Sequence, residues 1–190
     1  MCIRDRLNVI VFFNVLEGHR VTKEEYLKFV STLKCETLVS VEYIQAEYDG
    51  CSQVSNKTTN YDNTDFGVNL KMQSGKVFGF TWGSEFIKYG VSILEKPIQF
   101  ELTTFREVDV TTSSNWGKLI NTTIERVEVV WFRFKKNYYP QSIVLMFKPE
   151  EVVIISALEI PKHSRFSINA DSITVFFNLN SALSYGVLKV

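Results

Sequence analysis

The chain has 190 residues, 45% hydrophobic and 22% charged, which is enough to bury a core without disulfides or metal and excludes disordered, fibrous and membrane-bundle compositions. Lys plus Arg equals Asp plus Glu at 21 each, so no overall charge draws the protein to nucleic acid or an anionic membrane. The 15 Phe, 8 Tyr and 3 Trp, set among many Val, Ile and Thr, suit pleated, half-buried strands.

Met1–Arg6 resembles a read-through scar at the end of an assembled environmental reading frame, so a missing native N-terminus is expected and compartment is not judged from this segment. The apolar run Leu7 to Leu16 is interrupted by Asn8 and Asn14 and is followed by Glu17-Gly18-His19-Arg20, a poor signal-cleavage site. It falls short of the ~20 apolar residues that cross a bilayer and reads as a strand. Cys2, Cys35 and Cys51 lack CxxC spacing. They read as free thiols of a reducing compartment, and a cytoplasmic location is expected.

Thr22 and Glu25 stand three apart as a capping box, and Tyr26, Phe29, Val30 and Leu33 follow at helical spacing. The pattern predicts one amphipathic N-terminal helix over about 23–34. From Thr37 the period changes to two. Residues 51–65, dominated by Ser, Thr, Asn and Asp, are too polar to order themselves and read as a long mobile hairpin loop. Val68, Leu70 and Met72 alternate with Asn69, Lys71 and Gln73, predicting a strand with one wet face. Ser74-Gly75 then marks a tight turn into Val77–Trp82. Ile98, Phe100 and Leu102 alternate in the same way. A short helical turn is expected over 115–120. Ile143–Phe147 and Val152–Ile155 are apolar on both sides and must be covered on both faces, with Lys148-Pro149-Glu150-Glu151 turning between them.

The two halves share an order of motifs. Thr37-Leu38-x-x-Val41-Glu42 recurs as Thr123-Ile124-x-x-Val127-Glu128, the run ending at Thr81 as the run ending at Ser156, and Val91–Leu94 as Ile173–Phe176. Val9–Asn14 also matches Ile173–Asn178. This order predicts a duplicated unit of roughly 80 residues, with the N-terminal strand closing the molecule by pairing across it so that no apolar edge is exposed. The expected fold is mainly β (α+β with few helices): two similar antiparallel β-meander units, 1–96 and 97–190, packed together. A single large β-sandwich is the alternative.

Reactive constellations are sparse. His163 stands near Glu159 and Ser164, but no nucleophile-elbow pattern surrounds the serine. Glu85 and Glu159 follow equivalent hairpins and would need a shared cleft to act as a carboxylate pair. Asp49, Asp62, Asn63 and Asp65 lack the alternating order of a calcium loop. No catalytic residue, metal or cofactor is therefore assigned. Trp131-Phe132-Arg133-Phe134-Lys135-Lys136-Asn137-Tyr138-Tyr139-Pro140 interleaves aromatics with cations, a pattern that anchors protein interfaces. The expected function is a non-catalytic soluble binding or interaction protein, an adaptor or neutralising partner of another protein. Its candidate contact residues are Trp131, Arg133, Lys135, Tyr138 and Tyr139. A protein is the expected partner, ahead of nucleic acid, and no membrane. The alternatives are a small apolar-ligand carrier and a hydrolase using Glu159 and His163.

Overall fold

A computed structural model of the chain describes residues 21–46, 60–83, 90–99, 105–134, 136–159 and 167–188. Helix α1 (Lys23–Ser31) starts at the Thr22 cap. The Thr22 hydroxyl accepts from the Glu25 N–H at 3.2 Å, and the Glu25 carboxylate accepts from the Thr22 N–H at 2.8 Å. Tyr26 and Val30 are buried. The helix ends three residues before Lys34, and turns carry the chain to Cys35, whose φ of 70° reverses its direction.

The described residues are mainly β. The strands are β1 (Leu38–Ala46), β2 (Tyr61–Thr64), β3 (Gly67–Met72), β4 (Val77–Gly83), β5 (Gly90–Leu94), β6 (Phe105–Asp109), β7 (Ile124–Phe134), β8 (Asn137–Phe147), β9 (Glu151–Glu159) and β10 (Ser167–Phe176). A 3₁₀ turn, Gly117–Leu119, precedes β7, within the span where a helical turn is expected, and helix α2 (Leu179–Ser184) follows β10. Two five-stranded sheets form, ordered β5-β4-β3-β1-β6 and β2-β10-β9-β8-β7, with every neighbouring pair antiparallel. They pack face to face. One core runs through both, joining Val41, Leu70 and Phe80 to Ile143, Val153 and Val175, with Tyr26, Val30 and Leu33 of the helical segment and Trp116 closing its sides. Among the described residues no helix is long and apolar enough to cross a membrane.

The second sheet is the middle layer. Ile143, Leu145, Val153 and Ile155 face the shared core, while Val144, Ile154, Leu158 and Phe176 face a second cluster with Ala182 and Val187. Helix α2 supplies that cover. Asn178 caps it by accepting from the Ser181 N–H at 2.7 Å, and Gly186, at φ 68°, ends it. Only a two-sided cover satisfies strands that are apolar on both faces.

Two readings of local pattern need correction. The polar stretch 51–65 is not wholly a loop: Tyr61–Thr64 form β2, paired with β10, and Asp62 and Thr64 are buried. Each polar side chain finds a partner there. Asp62 accepts from the Tyr43 hydroxyl at 2.8 Å, Asn63 accepts from the Thr174 hydroxyl at 2.7 Å, and the Thr64 hydroxyl reaches the Ile44 carbonyl at 2.8 Å. Polarity does not bar burial once hydrogen bonds are made. Nor is the alternate face of β3 wet throughout. Asn69 is fully buried because residues 96–98 lie across it, with the Ile98 N–H donating to Asn69 Oδ1 at 2.9 Å. Ile98 itself is buried outside any strand; Phe100 and Leu102 lie outside the described residues.

The two sheets share several local features. The runs β1-β3-β4-β5 and β7-β8-β9-β10 are four-stranded meanders in the same order. The register of β1 on β3 breaks between Leu38 and Ser40, and that of β7 on β8 between Ile124 and Arg126. Gly75 turns the first hairpin at φ 87° and Glu150 the second at φ 93°, and each donates its N–H to the residue three back, Met72 and Phe147. Cys35 and Asn121 precede the long strands at φ 70° and 63°. The two runs meet at Thr37 and Thr123, which form an antiparallel bridge with their hydroxyls 3.0 Å apart. Around that bridge the bonds are reciprocal: Leu38 N–H to Thr122 O and Ile124 N–H to Glu36 O, Cys35 N–H to Ile124 O and Asn121 N–H to Leu38 O. Each sheet adds one strand from across the 96/97 boundary, β6 on β1 and β2 on β10.

Candidate functional site

The hairpin β7–β8 carries the interleaved aromatics and cations. Register sets Trp131 opposite Pro140, Phe132 opposite Tyr139 and Arg133 opposite Tyr138. A register shift at Val130/Trp131 leaves Gln141 as an extra residue in β8, and its side-chain amide donates to the Ala157 carbonyl at 2.5 Å. Pro140 in turn lies hard against β5, where a Cβ on Gly90 would fall 2.8 Å from the Pro140 carbonyl oxygen. The hairpin end is therefore held to the body while Arg133, Asn137 and Tyr138 near its tip are exposed.

Of the five residues expected to contact a partner, the structure brings Trp131, Arg133 and Tyr138 together. Tyr138 is 48% exposed and Arg133 is exposed, with the guanidinium 5.8 Å from the centre of the Tyr138 ring. Trp131 is half-buried and meets Tyr26 edge-to-face at 5.8 Å. Tyr139 is only 1% exposed and packs on Phe132 at 5.2 Å, so its side chain belongs to the interior. Lys135 lies outside the described residues. Lys23, missed in the sequence, completes the corner. Standing in the first turn of α1, it places its ammonium 4.9 Å from the Trp131 ring and 5.7 Å from the Tyr138 ring. The aromatic run signals where a cation would settle, but nothing local says that it comes from a helix so far back in the chain.

This corner presents two cations over aromatic faces, each such contact contributing about 0.5–1 kcal/mol where exposed. That chemistry suits binding of carboxylates or acidic side chains.

A second polar group is buried between the sheets. Trp116 donates its indole N–H to the Tyr43 hydroxyl at 2.6 Å, and Tyr43 donates to Asp62. Burial raises the Tyr43 phenol well above its ordinary value, helped by the Asp62 charge. Burial also raises the Asp62 carboxyl, against the opposing pull of hydrogen bonds from Tyr43 and Asn115. All three side chains are buried, so the group locks β1, β2 and the 3₁₀ turn together.

His163 and Glu85 lie outside the described residues, as does the side chain of Glu159. Among the described residues no group of three or more His, Cys, Asp or Glu could hold a metal ion. A half-open depression of 140 Å³ lies between α1 and β5, lined by Val21, Glu25, Tyr26, Phe29 and Ile93, smaller than the ~300–1,000 Å³ of typical ligand pockets. Comparison with protein-family models, curated proteins and solved structures returned no match.

Proposed function

We propose that this is a non-catalytic binding or interaction protein, working in the cytoplasm, that engages a protein partner through the end of the β7–β8 hairpin. The observation that carries the reading is the convergence of Lys23 and Arg133 on the Trp131 and Tyr138 rings. Exposed aromatics with oriented cations are the side chains that dominate interface energies. An acidic surface on the partner complements the corner, and the balanced charge of the whole chain places the attraction there rather than over the molecule.

We further infer that 1–96 and 97–190 are two copies of one β-meander unit. The reciprocal bonds about Thr37 and Thr123 and the matched register breaks support this, as does the shared order of sequence motifs.

The test is recovery of partner by the full chain against Lys23→Glu and Arg133→Glu. Both residues are exposed, so each substitution should cost no more than about 1–2 kcal/mol in lost cation–ring contacts and leave the chain folded, while recovery should fall at least tenfold in the double variant. Unchanged recovery would remove the corner as the working surface.

A further inference from the structure

Strand β2 is held to the body by polar bonds more than by apolar contact. Of its four residues only Tyr61 brings a ring to a cluster, 5.9 Å from Phe176 and 5.4 Å from Tyr185. The other three side chains act through hydrogen bonds. Asn63 accepts from Thr174, the Thr64 hydroxyl reaches the Ile44 and Gly67 carbonyls, and Asp62 accepts from Tyr43. The ladder is four pairs long and, among the described residues, runs along β10 alone. Segments with few buried apolar contacts open locally while the rest of a domain stays folded.

Asp62 is the weak member of that set. Its Oδ2 accepts from the Tyr43 hydroxyl at 2.8 Å. Its Oδ1 is buried without a well-formed hydrogen bond, which the pull of Asn115 on the carboxyl does not supply. An ionised carboxyl pays heavily for an oxygen left in that condition, and a neutral one far less. We propose that β2 is a proton-governed latch: it stays docked while Asp62 is protonated and opens locally as the carboxyl ionises and turns to water. The latch is independent of the corner at Lys23 and Arg133, so neither reading depends on the other.

Among the described residues nothing supplies the anion with a counter-charge. Strand β1 faces Asp62 with Tyr43, the segment entering the 3₁₀ turn with Asn115 and Trp116, and β10 with Val175 across the ladder. Tyr43 is the only titratable group of these, and burial keeps its phenol neutral. Glu42, next along β1, is bound to Lys71, and Asp65 accepts from the Ala46 N–H at 3.0 Å. Burial raises the Asp62 carboxyl above its ordinary value, so the docked strand holds the proton more tightly than the open one. Docking is therefore strongest below the ordinary carboxylate value and weakens as pH rises through the docked one. Opening frees the Tyr61 ring from Phe176 and Tyr185 and uncovers the β10 ladder at Ile173–Phe176.

Nuclear magnetic resonance on the full chain tests the latch between about pH 4 and pH 7, reading two quantities side by side. One is the carbon-13 shift of the Asp62 carboxyl. The other is hydrogen-exchange protection, corrected for intrinsic exchange, of the β2 amides and of the Phe177 amide that bonds the Asn60 carbonyl. Protection there should fall at least threefold as pH rises, with the same midpoint as the carboxyl and above the ordinary carboxylate value, while β8 and β9 amides keep theirs. In Asp62→Asn the step should vanish. Protection of β2 that ignores pH, a midpoint that departs from the Asp62 titration, or the same step in Asp62→Asn would overturn the proposal. So would a parallel loss in β8 and β9, which marks general unfolding. Should Asp62→Asn fail to fold, the coincidence of the two wild-type midpoints still decides.

Discussion

The outer faces of the two sheets solve one problem in different ways. At matched places in the meanders stand Asn69 and Gly79 in the first sheet and Val144 and Ile154 in the second. Over Asn69 and Gly79 the backbone of residues 96–98 comes close enough to hydrogen-bond, with no room for a side chain: a Cβ on Gly79 would lie 2.8 Å from Ile98 Cγ1 and 2.9 Å from the Lys96 carbonyl. Over Val144 and Ile154 the chain cannot approach so closely, and α2 with its trailing turn lays Ala182 and Val187 on the apolar surface instead. Small and polar side chains admit bare backbone, whereas bulky aliphatic ones demand an apolar cover. Two four-stranded antiparallel runs thus carry two kinds of third layer.

The largest effect that breaks this contrast is Ile154→Gly. It deletes a fully buried side chain and loosens the strand, at a cost of about 4–6 kcal/mol. Chemical denaturation measures it, and a loss below about 2 kcal/mol would mean that α2 contributes little cover. The reverse exchange, Gly79→Ile, forces residues 96–98 off the first sheet and should cost about 3 kcal/mol. Its Ile98 amide should then exchange faster, and an unchanged amide would show that the segment was not held by the bond to Asn69.

The buried group between the sheets sharpens the comparison with a smaller effect of opposite sign. Because burial raises the Asp62 carboxyl above its ordinary value, the folded state holds that proton more tightly than the unfolded state. Its stabilising share is complete below the unfolded pKa and disappears as pH rises through the folded value. Asp62→Asn keeps an acceptor for Tyr43 without the charge. The variant should therefore gain Tm over wild type as pH rises from 3 to 7, and parallel Tm profiles would contradict the assignment.

Much of the scaffold was legible because its signals are local. The Thr22–Glu25 box, the Ser74-Gly75 turn, and the two-sided runs at Ile143–Phe147 and Val152–Ile155 all became the features that their spacing implies. What escaped depends on distant partners. Strand β2 hides in a polar stretch because its partners, Tyr43 and Thr174, come from other strands, and the buried state of Asn69 depends on a segment beyond β5. In the candidate site, the hairpin aromatics were readable, but Tyr139 turns inward where the register shift places it, and Lys23 arrives from α1. Alternation along a strand distinguishes its faces without saying what lies over either one.

The claim that two copies of one meander meet across Thr37 and Thr123 can be tested by a single covalent probe. With their hydroxyls 3.0 Å apart on an antiparallel bridge, the double variant Thr37→Cys, Thr123→Cys should oxidise in the folded protein to a 37–123 disulfide, found by peptide mapping under non-reducing conditions. If both new thiols stay free and alkylatable while the protein remains folded, the two strands do not meet there and the account of paired units fails.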